Sequence, residues 1–256
     1  MKRIALLLIA LLFSFKTLAE EPGQWLMNYY KTPNPSDFTF EVKKLSKSGL
    51  LGNPKHKQNI AVFLSQIMAA NPDKTSQWLN ELQDLNKADM APVFYAVWLS
   101  DTKESKAYLN SIGAKKALEM KPINFLQVEV DNPNVLDALW SYFFATGKAE
   151  PIRKTISALN YADYDGSLEA YKTSKKTEED KRKAFLESVY KSARWSLESN
   201  IKQHHLVGEI CGNILEQNKL TNNEQLWLGV ILSKTIPSKY KMVQVKAGEW
   251  ILETYK

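Results

Sequence analysis

The sequence predicts an all-α fold, stacked antiparallel helical hairpins in an irregular α-solenoid-like array, and three observations carry that prediction. Residues that start and stop helices recur along the chain. Apolar residues return with helical period in paired segments joined by short connections. Valine and isoleucine gather into no alternating strand pattern bounded by turns, apart from the short stretch Phe125 to Val130, which reads as a loop or an irregular helix end.

The chain opens with Lys2 and Arg3, an apolar run from Ile4 to Phe15, and Thr17-Leu18-Ala19 before Glu20-Glu21. That order and size are those of a secretory signal peptide. As a helix the run reaches about 18 Å, well short of the ~30 Å hydrocarbon core of a bilayer. Small residues at Thr17 and Ala19 put the cut after Ala19, so residues 1–19 are the leader and 20–256 a single helical-repeat domain. The expected location is periplasmic or secreted, with no stable membrane insertion after cleavage. Behind the cut, Trp25, Tyr29 and Tyr30 form an aromatic patch expected to cap the first hairpin, with docking of a partner as the alternative.

Asn53-Pro54, Asn71-Pro72 and Asn132-Pro133 each set a capping amide beside a proline in the first turn of a helix. Asp101 with Glu104 and Thr221 with Glu224 have capping-box spacing, which starts helices near Thr102 and Asn222. Gly49, Gly113 and Gly147 suit left-handed helix ends. Between these marks lie three hairpins: Ile60 to Ala70 with Pro72 to Leu82, Ala91 to Ser100 with Thr102 to Ile112, and Val135 to Thr146 with Pro151 to Leu159. Trp195-Ser196 to Leu215 is a candidate fourth copy, matched to Trp140-Ser141. One hairpin cannot hide the apolar side of its first helix, so Phe63, Trp98, Phe143 and Phe144 are expected to pack between successive pairs.

The segment 160–176 is rich in Tyr, Asp, Ser and Lys, has no apolar stripe, and reads as a polar loop. Thr177 before Glu178, Glu179 and Asp180 then caps a long helix that runs to Asn200. Gly208 and Gly212 share one helix face, which predicts close approach by a neighbouring helix.

Stacked hairpins of this kind, over Asn53 to Lys219, resemble the architecture of the tetratricopeptide-like helical repeat proteins, which are mostly protein-binding scaffolds. The repeat length varies and the consensus Trp, Leu-Gly, Tyr, Ala and Phe spacing is absent from every copy, so no binding residue carries over. The resemblance implies a protein or peptide partner, and the export signal places that partner in the cell envelope.

Charge excludes little, because removing Lys2, Arg3 and Lys16 with the leader lowers the net charge from +6 to +3. Neither nucleic acid nor an anionic membrane surface is an expected partner of an exported chain of that balance. The single cysteine, Cys211, rules out an intramolecular disulfide and lies far from the cut, which excludes a lipoprotein anchor there. Val207, Ile210, Ile214 and Leu215 place it at the middle of an apolar stripe, a buried and inert thiol.

Tyr161, Tyr164 and Tyr171 are the candidate binding residues, since tyrosine offers a large amphipathic contact at low entropic cost. Their alternative role is to pin the polar segment onto the nearest core. Catalytic residues, metal ligands and cofactors are not expected. With Gly166 at the sixth position of a calcium loop, Tyr161 and Lys172 would stand where Asp and Glu are required. His205 and Glu209 are one turn apart beside His204, but a zinc site wants a third ligand and His56 is remote. Glu198-Ser199 resembles the Glu-Ser of lytic transglycosylases without that family's following residues. An envelope hydrolase acting on peptidoglycan or glycans, with Glu198 or Glu209 as general acid, is the alternative function.

Mass spectrometry of the protein from its native compartment tests the leader: a chain starting at Glu20 is expected, and one retaining Met1 to Ala19 would make the segment a tether instead.

Overall fold

In the computed structural model, which describes residues 20–173, 177–246 and 249–255, one helix has to be covered on every side. Helix α3, Lys57–Ala70, buries Ile60, Ala61, Val62, Phe63, Leu64, Ile67 and Met68 within three turns. A helix apolar all round cannot face water, so it sits inside. Helices α5, Lys87–Ser100, and α8, Pro133–Thr146, both pack along it and scarcely touch each other. Space therefore reorders the chain: the third hairpin lies on the first, whereas stacking in sequence order would have laid it on the second.

The N-terminal segment closes this core. From α1, Glu20–Asn28, Trp25 meets the Phe63 ring edge-on at 4.9 Å, and Tyr29 of the 3-10 turn that follows, Tyr29–Lys31, meets it at 5.8 Å. Tyr30 lies 4.9 Å from Phe143 of α8. The aromatic patch thus joins two core helices, a tighter role than capping one hairpin. Helix α2, Phe38–Lys47, stacks Phe38 on Trp78 of α4, Thr75–Glu81, at 4.2 Å. The slimmer helices α6, Lys103–Ser111, α7, Lys115–Glu119, and α9, Ala149–Ile156, pack outside the three core helices.

Several helix ends fall where the caps were read. Asn132 accepts from Asn134 N at the start of α8, and Gly147 ends α8 at φ 66°, a left-handed conformation in which a side chain would be strained. Gly49 and Gly113 are left-handed too. Other starts differ by local chemistry. Asn53 closes a turn by accepting from Lys55 N, and α3 begins only at Lys57. Asn71 turns its amide back to Ile67 O, and a 3-10 turn, Pro72–Lys74, leads into α4. Asp101 is itself the left-handed end of α5, which hands the cap of α6 to Thr102.

The segment 160–176, read as a polar loop, is helical through its described part: a 3-10 helix, Ser157–Tyr164, then α10, Ser167–Thr173. Its residues 174–176 lie outside the described residues, as does the predicted leader. No apolar stripe was needed, because polar partners do the ordering. Buried Glu187 of α11, Glu178–Gln203, accepts from Leu168 N at 2.5 Å and from the Lys191 ammonium, which also reaches Asp165. At the head of α11, Thr177 and Asp180 complete a capping box. The candidate fourth repeat is not equivalent to the third: Trp195 lies exposed on α11, whereas Trp140 is buried in α8. Trp98 also departs from its expected place, donating to Ala117 O at 2.9 Å and so seating α7.

Helix α12, His205–Glu216, and α13, Asn222–Thr235, complete the helical part, and a two-stranded antiparallel hairpin follows. Strands β1, Tyr240–Lys246, and β2, Glu249–Thr254, pair Tyr240 with Thr254 and Met242 with Leu252. The sequence was read as free of strands here, and that reading is corrected. What approaches the glycine face of α12 is this hairpin and the end of α13: a Cβ on Gly212 would stand 2.3 Å from the Tyr240 hydroxyl, and one on Gly208 3.0 Å from Ile236.

Gly212→Ala is expected to destabilise the fold by about 1–3 kcal/mol through overpacking, a fall in Tm of roughly 2–10 °C for a domain of this size. In a Tyr240→Phe background the obstructing oxygen is gone and the same change becomes neutral or stabilising by up to about 1 kcal/mol. Thermal denaturation of the four proteins checks both.

Candidate functional site

The approach of the hairpin to α12 and α13 leaves a half-open groove of about 460 Å³. Leu215 and Glu216 from the end of α12 and Asn222, Gln225 and Leu226 from the first turns of α13 form one wall. Tyr240 and Met242 of β1 and Trp250, Ile251, Leu252 and Thr254 of β2 form the other. Gly229 lets the strands lie close to α13, since a Cβ there would meet Met242 Sδ at 3.1 Å. Leu226, Trp250 and Ile251 remain substantially exposed at this site. Apolar side chains that reach water beside a few polar groups, Asn222, Gln225 and Thr254, make this groove the candidate site.

An ion pair made by a buried carboxylate fixes the α13 wall. Glu224, almost wholly buried, takes Arg153 of α9 in bidentate fashion at 2.9 and 3.1 Å, and its Oε2 also accepts from Thr221 N. Asn160 adds a bond to Glu224 Oε1 at 3.2 Å and meets the Thr221 hydroxyl. A carboxylate out of water is tolerable when so fully bonded, and the fork geometry of arginine sets its orientation. The start of α13 is thereby tied to α9 and to the 3-10 helix that carries the candidate tyrosines.

Tyr161 and Tyr164 are brought together, ring centroids 6.3 Å apart, while Tyr171 is carried on α10. Tyr161 packs partly on the core and donates its hydroxyl to Glu129 at 3.0 Å. Burial and then the Glu129 carboxylate raise its pKa well above the usual tyrosine value. Tyr161 thus pins its segment, and neither it nor its two companions lines the groove. The groove residues were missed because the strands were missed. A signal was present in the alternation Tyr240-Lys241-Met242-Val243-Gln244-Val245-Lys246 between Pro237 and Gly248.

The titratable candidates are dispersed. Glu198 is paired with Lys234 Nζ at 2.6 Å, and Glu209 stands 3.4 Å from His205 Nδ1 on an exposed helix face. Neither lines the groove or the polar recess formed by Asp165, Glu169, Lys172, Glu187 and Lys191. Cys211 is fully buried, and burial pushes its thiol up to about 12. Among the described residues no group of three or more His, Cys, Asp and Glu could hold a metal ion.

His204 is the one histidine inside the protein. Its Nδ1 meets the Tyr30 hydroxyl at 3.1 Å, its ring lies 5.1 Å from Phe144, and its Nε2 is buried without a partner. Burial, helped by nearby Lys31, lowers its pKa to about 4. The folded protein therefore refuses a proton that the unfolded chain accepts below about pH 6.5. Stability from this group is complete above that pH and is lost as pH falls through about 4, by up to about 3 kcal/mol. Urea unfolding between pH 7 and pH 4 is expected to show a smaller decline for His204→Gln than for the unaltered protein.

Compared with known protein families, curated proteins and solved structures, the chain matches none.

Proposed function

We propose that this chain is an exported, non-enzymatic helical protein that binds a protein or peptide partner of the cell envelope, taking an extended segment of it into the groove beneath the C-terminal hairpin. Export rests on the charge, length and end of the leader sequence. Binding rests on one observation: the open apolar groove between α13 and β2, with Leu226 and Trp250 reaching solvent at its margin. An extended chain is favoured as occupant because β2 has no second strand neighbour among the described residues. Its outer edge offers main-chain donors and acceptors to an added strand, and the groove offers apolar seats to alternate side chains. A rigid aromatic at the rim suits the role of anchor.

Panning a displayed random peptide library against the purified protein tests this. Selected peptides are expected to alternate apolar and polar residues and to bind at least about 10-fold more weakly to Trp250→Ala and Leu226→Asp, a loss near 1.4 kcal/mol. Peptides that bind both variants with unchanged affinity would overturn the groove as the site.

A further inference from the structure

A second exposed apolar surface stands on a different part of the chain and has a different chemistry. Between buried Leu109 and buried Phe125, residues 111–124 are exposed almost throughout. Ile112, Leu118, Met120 and Ile123 turn outward, with 48, 37, 62 and 45 % of their surface accessible. Lys115, Lys116 and Lys121 are interspersed with them, against the single acid Glu119. The exposure is built in. Gly113 turns the chain at φ 72°, Ala114 packs on the core, and Trp98 Nε1 holds Ala117 O at 2.9 Å, so the backbone of α7 is fixed with these side chains outside.

We infer that this ledge is a docking surface for anionic membrane lipid, with the four apolar side chains entering the interfacial region and the three lysines reaching the headgroup phosphates. Charge decides among occupants. A second copy would set lysine against lysine, and the leader, with Lys2, Arg3 and Lys16, is cationic as well. An anionic surface satisfies the lysines, and its acyl boundary accepts the apolar groups that water does not favour. A flat lipid surface also needs no cavity, and neither the groove nor the polar recess borders the ledge. The contact lies on the bilayer without crossing it; among the described residues no helix is long and apolar enough to span. It is independent of the groove and its peptide.

Cosedimentation of the protein with vesicles of mixed phosphatidylglycerol and phosphatidylcholine, against phosphatidylcholine alone, tests the inference. Binding to the anionic vesicles is expected at low salt, weakened at about 0.5 M salt where the Debye length falls to a few Å. Met120→Asp with Ile123→Asp, and separately Lys115→Glu with Lys116→Glu and Lys121→Glu, are each expected to reduce it at least about 5-fold. Phe185→Asp with Trp195→Asp, on the exposed face of α11, should leave it unchanged. No binding to anionic vesicles at low salt, or equal loss in all three variants, overturns the inference. Binding to polyglutamate with none to vesicles also overturns it, and assigns the ledge to an acidic polypeptide.

Discussion

The covering of α3 is the constraint from which the rest of the arrangement follows. Its apolar side chains point in all directions, so two long helices must flank it, and the aromatic residues of the N-terminal segment must close the remainder. Once α8 is on α3, α9 follows within two residues, because Gly147 turns the chain and leaves little slack. Arg153 on α9 then meets Glu224, which sets the start of α13, and α13 carries the hairpin whose underside is the groove. A surface site at the C-terminal end is thus positioned by a chain of contacts that begins in the central core.

Three buried carboxylates make the joins that apolar packing does not. Glu224 ties α9 to α13, Glu187 ties α10 to α11, and Asp89 accepts from Ser46 at 2.6 Å and Asn86 at 2.7 Å, which ties the end of α2 to the start of α5. Removing a partner from any of them would leave a buried carboxylate short of a hydrogen bond, which costs about 1–3 kcal/mol and more for a charged group. That asymmetry makes these bonds good determinants of position whatever their net contribution to stability. It also explains how short, polar helices such as α10 persist in a chain where isolated helices of that length would melt.

The sequence was legible where structure is local and periodic. The Thr177 cap of α11, the capping box of α13, the left-handed glycines and the buried Cys211 stripe depend on residues within a turn or two of one another, and they stand where they were read, α6 a residue late at its Thr102 cap. It was less legible where partners are distant. Nothing near 160–176 announces that Glu187 will order that segment, and Trp98 could not declare for Ala117 O over a neighbouring hairpin. The pairing of α3 with α8 ahead of α5 with α8 depends on which apolar face fits which, a property of no single segment. The groove was hidden for another reason. Its strands alternate in a short mixed stretch where lysine, glutamine and methionine dilute the β-branched signal, and Trp250 reads as one more aromatic until β2 places it at a rim.

The two exposed apolar surfaces call for different partners because their shapes and charges differ. The groove is concave, bounded by a fixed helix start and a strand with an open edge, and its polar groups are amides and hydroxyls that can bond a main chain, with one carboxylate, Glu216, that stands 3.8 Å from Lys239. In the proposed reading, recognition there would depend on shape and on a partner whose backbone is already extended. The ledge has no walls. Its apolar groups project from a short helix and its flanks, and its lysines supply attraction that acts over a Debye length before contact. A partner for it has to be broad, anionic and yielding to inserted side chains, and a lipid headgroup layer combines those properties where a folded acidic protein supplies only the charge. A protein that rests on such a layer by one surface and holds an extended segment by another searches for that segment near the membrane, which raises the local concentration of any partner anchored there.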